Sequence, residues 1–243
     1  MTRVLIHGAG RMARQVLASV SEFENFSFAG LVSRTQPADF FVSDWRASLE
    51  QVDKSVDLLI DFTLPGGTAS AAQWCEKNHV ALISGTTGLE SVDLDALKSA
   101  SRVVPVLWAP NLSQGVALME LLVRQCAAVL AEQAQISIHD VHHQHKLDAP
   151  SGTALALAMA AKEGHSGGHF DLNDQPVSFS SVREGEVIGE HTISFVMADE
   201  LIEITHKALD RAVFARGALK AGAWLIKQSA GYYSTRDWLA PGD

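Results

Sequence analysis

Short, nearly unbroken apolar runs recur through the first half of the chain, each followed by a turn or a helical pattern. Val4-Leu5-Ile6-His7 is the first, and residues 26–32, 56–62, 80–84 and 103–108 repeat the theme. Runs of this length without polar alternation are what strands buried on both faces require. Segments of helical periodicity separate them, one leading from Gly8 to about Val20 and another covering 68–77. Strand and helix in alternation predict a Rossmann-like α/β domain, a parallel sheet with helices on both faces.

After Asn111 the pattern changes. A long helical stretch over 113–131 precedes a strand pattern at 135–141, and further strands are predicted at 177–182, 191–196 and 201–205 with no long helix between them. That order predicts an α+β domain with a mixed or antiparallel sheet. Between these, the run Ala154-Leu155-Ala156-Leu157-Ala158-Met159-Ala160 is rich in strong helix formers, with Pro150-Ser151 supplying a turn and an N-cap. Gly164-His165-Ser166-Gly167-Gly168 reads as a loop after that helix. A last helical pattern at 214–229 fits either domain.

A length of 243 residues accommodates one large domain or two modest ones. Cys75 and Cys126, the only cysteines, sit in helical, apolar contexts, which argues against a disulfide framework or a cysteine zinc site and for a reducing, cytoplasmic compartment. The opening residues are interrupted too early by Gly8 to form a signal peptide. No run approaches the roughly 20 apolar residues of a membrane span. A formal charge of −9, without clustered Lys and Arg, argues against nucleic-acid binding. Any anionic ligand must be met locally.

Two stretches carry candidate chemistry. Gly8-Ala9-Gly10-Arg11-Met12-Ala13 fits the dinucleotide fingerprint G-x-G-x-x-G/A, and its place after a strand and before a helix strengthens the reading over that of a plain glycine turn. At the end of the next strand, where NAD enzymes carry an acidic residue for the ribose, stand Ser33 and Arg34. They suit a 2′-phosphate, hence NADPH over NADH, unless Arg34 is merely solvated. Gly85-Thr86-Thr87-Gly88 follows a buried strand and reads equally as a ligand loop or a structural turn. The second stretch is His142-His143-Gln144-His145-Lys146-Leu147-Asp148-Ala149-Pro150-Ser151-Gly152-Thr153, which sets imidazoles and an ammonium before a helix start able to hold a carboxylate. A proton-accepting, anionic substrate suits these groups. Zinc is the rival reading of so many histidines. No helical i, i+4 pair with an intervening glutamate is present to favour it, so no metal is expected.

These motifs, with Ile60-Asp61-Phe62-Thr63, Ala109-Pro110-Asn111-Leu112-Ser113-Gln114-Gly115-Val116, Gly189-Glu190-His191-Thr192, Glu203-Ile204-Thr205-His206-Lys207 and Phe214-Ala215-Arg216-Gly217-Ala218, together resemble the 4-hydroxy-tetrahydrodipicolinate reductase (dihydrodipicolinate reductase) family nearly end to end. The resemblance implies NAD(P)H-dependent reduction of a cyclic imine dicarboxylate in lysine and diaminopimelate biosynthesis. It also implies a homotetramer. Carried over, the proton donor falls on His142 and a second catalytic cation on Lys146, while His143, Gly152 and Thr153 would bind substrate. Gly8, Ala9, Gly10, Arg11, Met12, Ser33, Arg34, Gly85, Thr86, Thr87, Ala109, Pro110, Asn111 and Leu112 would line the cofactor, NADPH preferred and NADH possible. The expected division is residues 1–112 with 211–243 for the dinucleotide and 113–210 for substrate and oligomerisation. Two departures stand out: many relatives carry one more glycine between the positions of Gly10 and Arg11, and position 33, acidic in members that readily accept NADH, is Ser33. The rivals are a two-domain nicotinamide oxidoreductase of the aspartate dehydrogenase type, a non-catalytic NADP-sensing protein, and a zinc hydrolase.

Overall fold

The computed structural model describes residues 1–53, 55–130, 132–166 and 177–239. The chain separates into two compact units, Met1–Ser113 with Arg211–Asp243, and Gln114–Asp210.

The first unit is built on a seven-stranded sheet. In chain order its elements are β1 (Thr2–His7), α1 (Arg11–Val20), β2 (Phe26–Val32), β3 (Trp45–Arg46), β4 (Leu58–Asp61), α2 (Gly67–Asn78), β5 (Ala81–Ser84), α3 (Ser91–Ala100) and β6 (Pro105–Trp108). The sheet order is β11-β6-β5-β4-β1-β2-β3 and every pairing is parallel, where β11 (Gly231–Tyr233) comes from the end of the chain. The apolar runs are continuous because both faces are covered. Val4, Ile6, Leu58, Ile60, Ile83 and Leu107 pack against α1 and against α6 (Ala212–Leu225). Leu5, Leu59, Leu82 and Val106 point the other way, onto α2 and α3. The chain reverses its winding between β1 and β4, so the crevice at their carboxyl ends is where such sheets take ligands.

The second unit contains α4 (Gln114–Leu130), β7 (Gln135–His142), α5 (Gly152–Ser166), β8 (Ser178–Arg183), β9 (Glu190–Val196) and β10 (Leu201–Lys207). Its sheet is mixed, in the order β10-β9-β7-β8: β7 and β8 run parallel, joined through α5, and the other pairs are antiparallel. Met119, Val123 and Ala127, one stripe of α4, meet Leu157, Ala160 and Ala161 of α5 over Ile138, Ile193 and Phe195 of the sheet.

Element types follow the sequence pattern, while several ends do not. The strand expected from 103 begins at Pro105, because Val103 and Val104 give their N–H groups to the Ala100 carbonyl as α3 ends. The expected loop at Gly164 is still helix through Ser166: a Cβ on Gly164 would stand 2.1 Å from the Arg124 carbonyl oxygen, so this glycine serves the close packing of α5 on α4. Gly167 and Gly168 lie outside the described residues. β3, β11 and α7 (Thr235–Leu239) are two to five residues long and have no readable period. The helix expected at 214–229, α6, stops at Leu225, not Ser229, and lies in the first unit against α1.

Candidate active site

In the first unit the cofactor candidates occupy the loops after the carboxyl ends of β1, β2, β5 and β6. Gly8 has φ +119, and a Cβ there would stand 2.6 Å from the Phe62 carbonyl oxygen, so only glycine makes this turn. Gly10 caps α1 with no side-chain hydrogen bond, with no acidic residue in the first turn and open space on its Cβ side. Backbone N–H groups at an unblocked helix start suit a pyrophosphate, so the cradle fits a dinucleotide. The Ser33 hydroxyl donates to Thr35 O at 2.8 Å and accepts from Trp45 Nε1 at 3.1 Å, and Arg34 is exposed with no hydrogen-bond or ion-pair partner among the described residues. Gly85 N bonds Asp61 O and Ala109 N bonds Ser84 O, which fixes those two loops side by side.

Beneath them lies Asp61, fully buried at the end of β4. It accepts hydrogen bonds from the hydroxyls of Thr63 (2.7 Å), Thr68 (2.7 Å), Ser84 (2.8 Å) and Thr86 (3.1 Å), with His7 Nδ1 3.3 Å away. Burial opposes its ionisation, but His7 and the hydroxyl donors outweigh burial and hold its carboxyl below the usual range. Its work is structural: it ties the Phe62-Thr63 turn to Thr86.

The second unit assembles a separate polar cluster. Alternation along β7 puts Ile138, Asp140 and His142 on one buried face, so the core layer gives way to a carboxylate and then an imidazole at the strand's end. His142 Nδ1 is 2.9 Å from Asp140 Oδ1. Asp140 also accepts from Arg183 (2.8 Å), Ser181 Oγ (2.6 Å) and the Ser151 N–H (3.4 Å). Burial opposes its charge, yet Ser181 and Arg183 overcome that and keep it ionised. An ionised Asp140 selects the Nδ1–H form of His142 and leaves Nε2 for chemistry. That nitrogen would sit 3.2 Å from a Cβ on Gly189, so the glycine keeps the imidazole edge clear.

Burial first, and the Lys146 ammonium second, lower the basicity of His142 against the pull of Asp140. Lys146 itself pairs with Asp148 at 2.8 Å. Ser151 is the N-cap of α5: its Oγ accepts from Ala154 N at 3.2 Å and shares a hydrogen bond with His191 Nε2 at 3.2 Å. His191 is 3% exposed and meets His142 edge to face, with ring centroids 5.0 Å apart. Burial, then the neighbouring His142, push its pKa down to about 3. Gly152 is open on its Cβ side, Thr153 is buried, and His143 packs its ring near His145. Among the described residues no group of three His, Cys, Asp or Glu side chains is placed to hold a metal ion.

Two family models cover this chain: the N-terminal part of dihydrodipicolinate reductase matches residues 2–112, and its C-terminal part matches 115–239. The chain belongs to the dihydrodipicolinate reductase family. A 4-hydroxy-tetrahydrodipicolinate reductase from Alkalilimnicola ehrlichii is 36% identical over 268 residues, covering 98% of each chain. A dipicolinate-bound dihydrodipicolinate reductase from Paenisporosarcina sp. TG-14 superposes with a TM-score of 0.80 at 23% identity, over 96% of this chain and 97% of that one. An aspartate dehydrogenase from Thermotoga maritima superposes with a TM-score of 0.53 at 14% identity, over 93% and 97%, a likeness of fold alone.

For a dihydrodipicolinate reductase, sequence reasoning singles out His142, Lys146 and the α5 start, and the fold gathers them at one end of β7. It passes over Asp140 and Arg183, and includes Asp61 and His191 within family motifs without giving either a role. A signal existed for Asp140, two residues from His142 on a strand pattern and therefore on the same face. For Asp61 the signal was a lone carboxylate closing the run Leu58-Leu59-Ile60. Arg183 and His191 arrive from other strands; the motif Gly189-Glu190-His191-Thr192 marks His191 but not its neighbour, and nothing local marks Arg183.

Proposed function

We propose that His142 and Lys146 carry the chemistry of this chain's reaction, with the substrate's carboxylates held at Lys146 and the Ser151-Gly152-Thr153 start of α5. As a member of its family the chain is an NAD(P)H-dependent oxidoreductase of lysine and diaminopimelate biosynthesis that reduces dihydrodipicolinate. The observation that carries the residue-level reading is the Asp140–His142 pair beside Lys146, an oriented imidazole next to a cation and the start of α5, where Asp148 meets both Lys146 and the Gly152 N–H.

The reduced nicotinamide, when bound, supplies a hydride to the conjugated imine. Gly8, Ala9, Gly10, Arg11 and Met12 would hold the pyrophosphate, and Gly85, Thr86, Thr87, Ala109, Pro110, Asn111 and Leu112 would line the remainder. Arg34 favours a 2′-phosphate and hence NADPH; the Ser33 hydroxyl already donates to Thr35, so Arg34 supplies most of that preference. As the substrate gains an electron pair at nitrogen or the adjacent carbon, His142 delivers the balancing proton from Nε2. A bound dianion raises the basicity of His142, offsetting the burial and the Lys146 charge that hold it neutral in the empty site. Lys146 exchanges Asp148 for a substrate carboxylate and stabilises the developing charge.

Four copies of the chain assemble through the second unit, in keeping with the family resemblance. Exposed apolar side chains on its strands, Phe179, Val196, Leu201 and Ile202, support this, and light scattering at the mass of four chains tests it. The free cysteines Cys75 and Cys126 fit a reducing cytoplasm.

The test follows NADPH and NADH absorbance while the protein meets substrate generated in place from pyruvate and aspartate semialdehyde by the preceding synthase. Substrate-dependent oxidation with NADPH favoured is expected. Equal use of both cofactors overturns the Arg34 argument, and no oxidation with either overturns the reading as a whole.

A further inference from the structure

We propose that Arg183, outside the motif block that marks the site, is a positioning residue that locks His142 and the Lys146 loop into one frame. This rests on His142 and Lys146 acting as proposed above.

Arg183 ends β8, the edge strand parallel to β7, and stands directly opposite His142 in the register. Its guanidinium spans three acceptors, one of them the carbonyl of its own neighbour Val182, which takes Nη1 at 2.8 Å. One terminal nitrogen bonds Asp140 Oδ1 at 2.8 Å, the same oxygen that meets His142 Nδ1, and the other bonds the main-chain carbonyl of Asp148 at 2.5 Å. Asp148 in turn pairs with Lys146. The other Asp140 oxygen takes Ser181 and Ser151, so the carboxylate is held at both ends and cannot swing away from the imidazole. Main-chain bonds from Glu184 N to His142 O and from Gln144 N to Gly185 O tie the two loops at the same point.

The buried Nε of Arg183 has no hydrogen-bond partner among the described residues. The guanidinium is therefore placed by the acceptors of its terminal nitrogens, Asp140, Val182 and Asp148, at a cost in unmade hydrogen bonding at Nε. A planar fork can bridge acceptors in this way, whereas the point charge of a lysine reaches one of them.

Arg183 also acts on the proton. The charged and titratable groups facing His142 are Asp140 on its own strand, Arg183 from β8, His191 from β9 and Lys146 from the following loop; His206 on β10 faces His191 across the sheet. Asp140 favours the imidazolium, while Arg183 and Lys146 oppose it. Removing Arg183 leaves Asp140 unneutralised beside His142, and removing the Asp140 charge does the reverse.

The experiment compares Arg183→Gln, Arg183→Lys and Asp140→Asn with wild type, each checked for a folded circular-dichroism spectrum. Measured are kcat and KM across pH, and the ring-proton NMR titration of His142, assigned through its loss in His142→Gln. Arg183→Gln should lower kcat about 10- to 100-fold, the scale of a misplaced catalytic group, with KM for NADPH unchanged. Its His142 titration and the upper limb of its pH profile should move to higher pH. Asp140→Asn should move both to lower pH. Arg183→Lys keeps the charge, so its limb stays near wild type while kcat remains low. The inference is overturned if Arg183→Gln keeps kcat within about twofold of wild type, or if both charge-removing variants shift His142 in the same direction. Should wild type fail to oxidise NADPH with dihydrodipicolinate, the functional reading falls, and the NMR titration still decides the role of Arg183.

Discussion

Under the proposed roles, His142 delivers a proton only if something restores the basicity that burial and Lys146 take away, and Lys146 holds substrate only by releasing Asp148. Both requirements of that proposal are met by an incoming anion. Replacing His142 by Gln keeps a polar side chain but removes the transferable proton. It should lower kcat by ~10²- to 10⁴-fold, the usual worth of a positioned acid, with KM for NADPH unchanged; near-normal turnover would remove His142 as the donor. Lys146→Ala should lose far more turnover than cofactor affinity, and equal losses would place Lys146 at the cofactor instead. In the first unit, Arg34→Ala should raise KM for NADPH about tenfold, an exposed charge-assisted contact being worth little more than that, and leave KM for NADH unchanged. An equal rise for both cofactors would mean that Arg34 does not read the 2′-phosphate. At this scale His142 and Lys146 were legible as candidates because residue types and spacing mark them in one contiguous stretch. Asp140 was half legible through strand alternation. Arg183, and the contact of His191 with His142, were not, because strand pairing alone brings these groups within hydrogen-bond or ring-contact distance of the site.

Elements place these residues by how they begin and end. α5 starts where Ser151 caps it, and the same hydroxyl reaches His191, so one side chain sets both the helix start and the neighbouring strand. Ser151→Ala should cost about 1 kcal/mol through the lost cap and about 1 kcal/mol more for an unpaired His191 nitrogen. Thermal or urea melts measure it, and a variant as stable as wild type would show that neither bond matters. A similar rule of proximity governs α6: a Cβ on Gly217 would stand 1.8 Å from the Leu112 carbonyl oxygen, so this glycine lets α6 press the 109–112 segment into place. The helix and strand types were legible because apolar period follows burial. Their ends were less so, since Gly164 looks like a breaker in sequence and is a packing residue in the fold. The local pattern cannot say which backbone will press against a glycine.

At the scale of the whole molecule, buried ionisable groups make the fold sensitive to acid. His191 titrates at about 3 in the folded protein against an ordinary value of 6.5. The unfolded chain thus binds the extra proton first, and the stability present above pH 6.5 is lost as pH falls toward 3. His142 and His206 are shifted in the same direction. Asp61 and Asp140, held below the ordinary carboxylate value, add a further loss below about pH 4. The melting temperature should be level above pH 7 and fall between pH 6.5 and 4. His191→Asn should reduce that slope, by an amount corresponding to a few kcal/mol at most; a slope equal to wild type would show that His191 is not the sensor.

The sequence by itself determined the two-part α/β and α+β build, because the period of apolar residues is imposed by which faces are buried. It also determined the family, because the motif block combines residue types that its chemistry needs in one contiguous stretch. Only the tertiary structure decided how the His142 imidazole is held. The carboxylate, guanidinium and second imidazole around His142 lie on three different strands, and hydrogen bonds form between groups a few ångströms apart in space, whatever their separation along the chain.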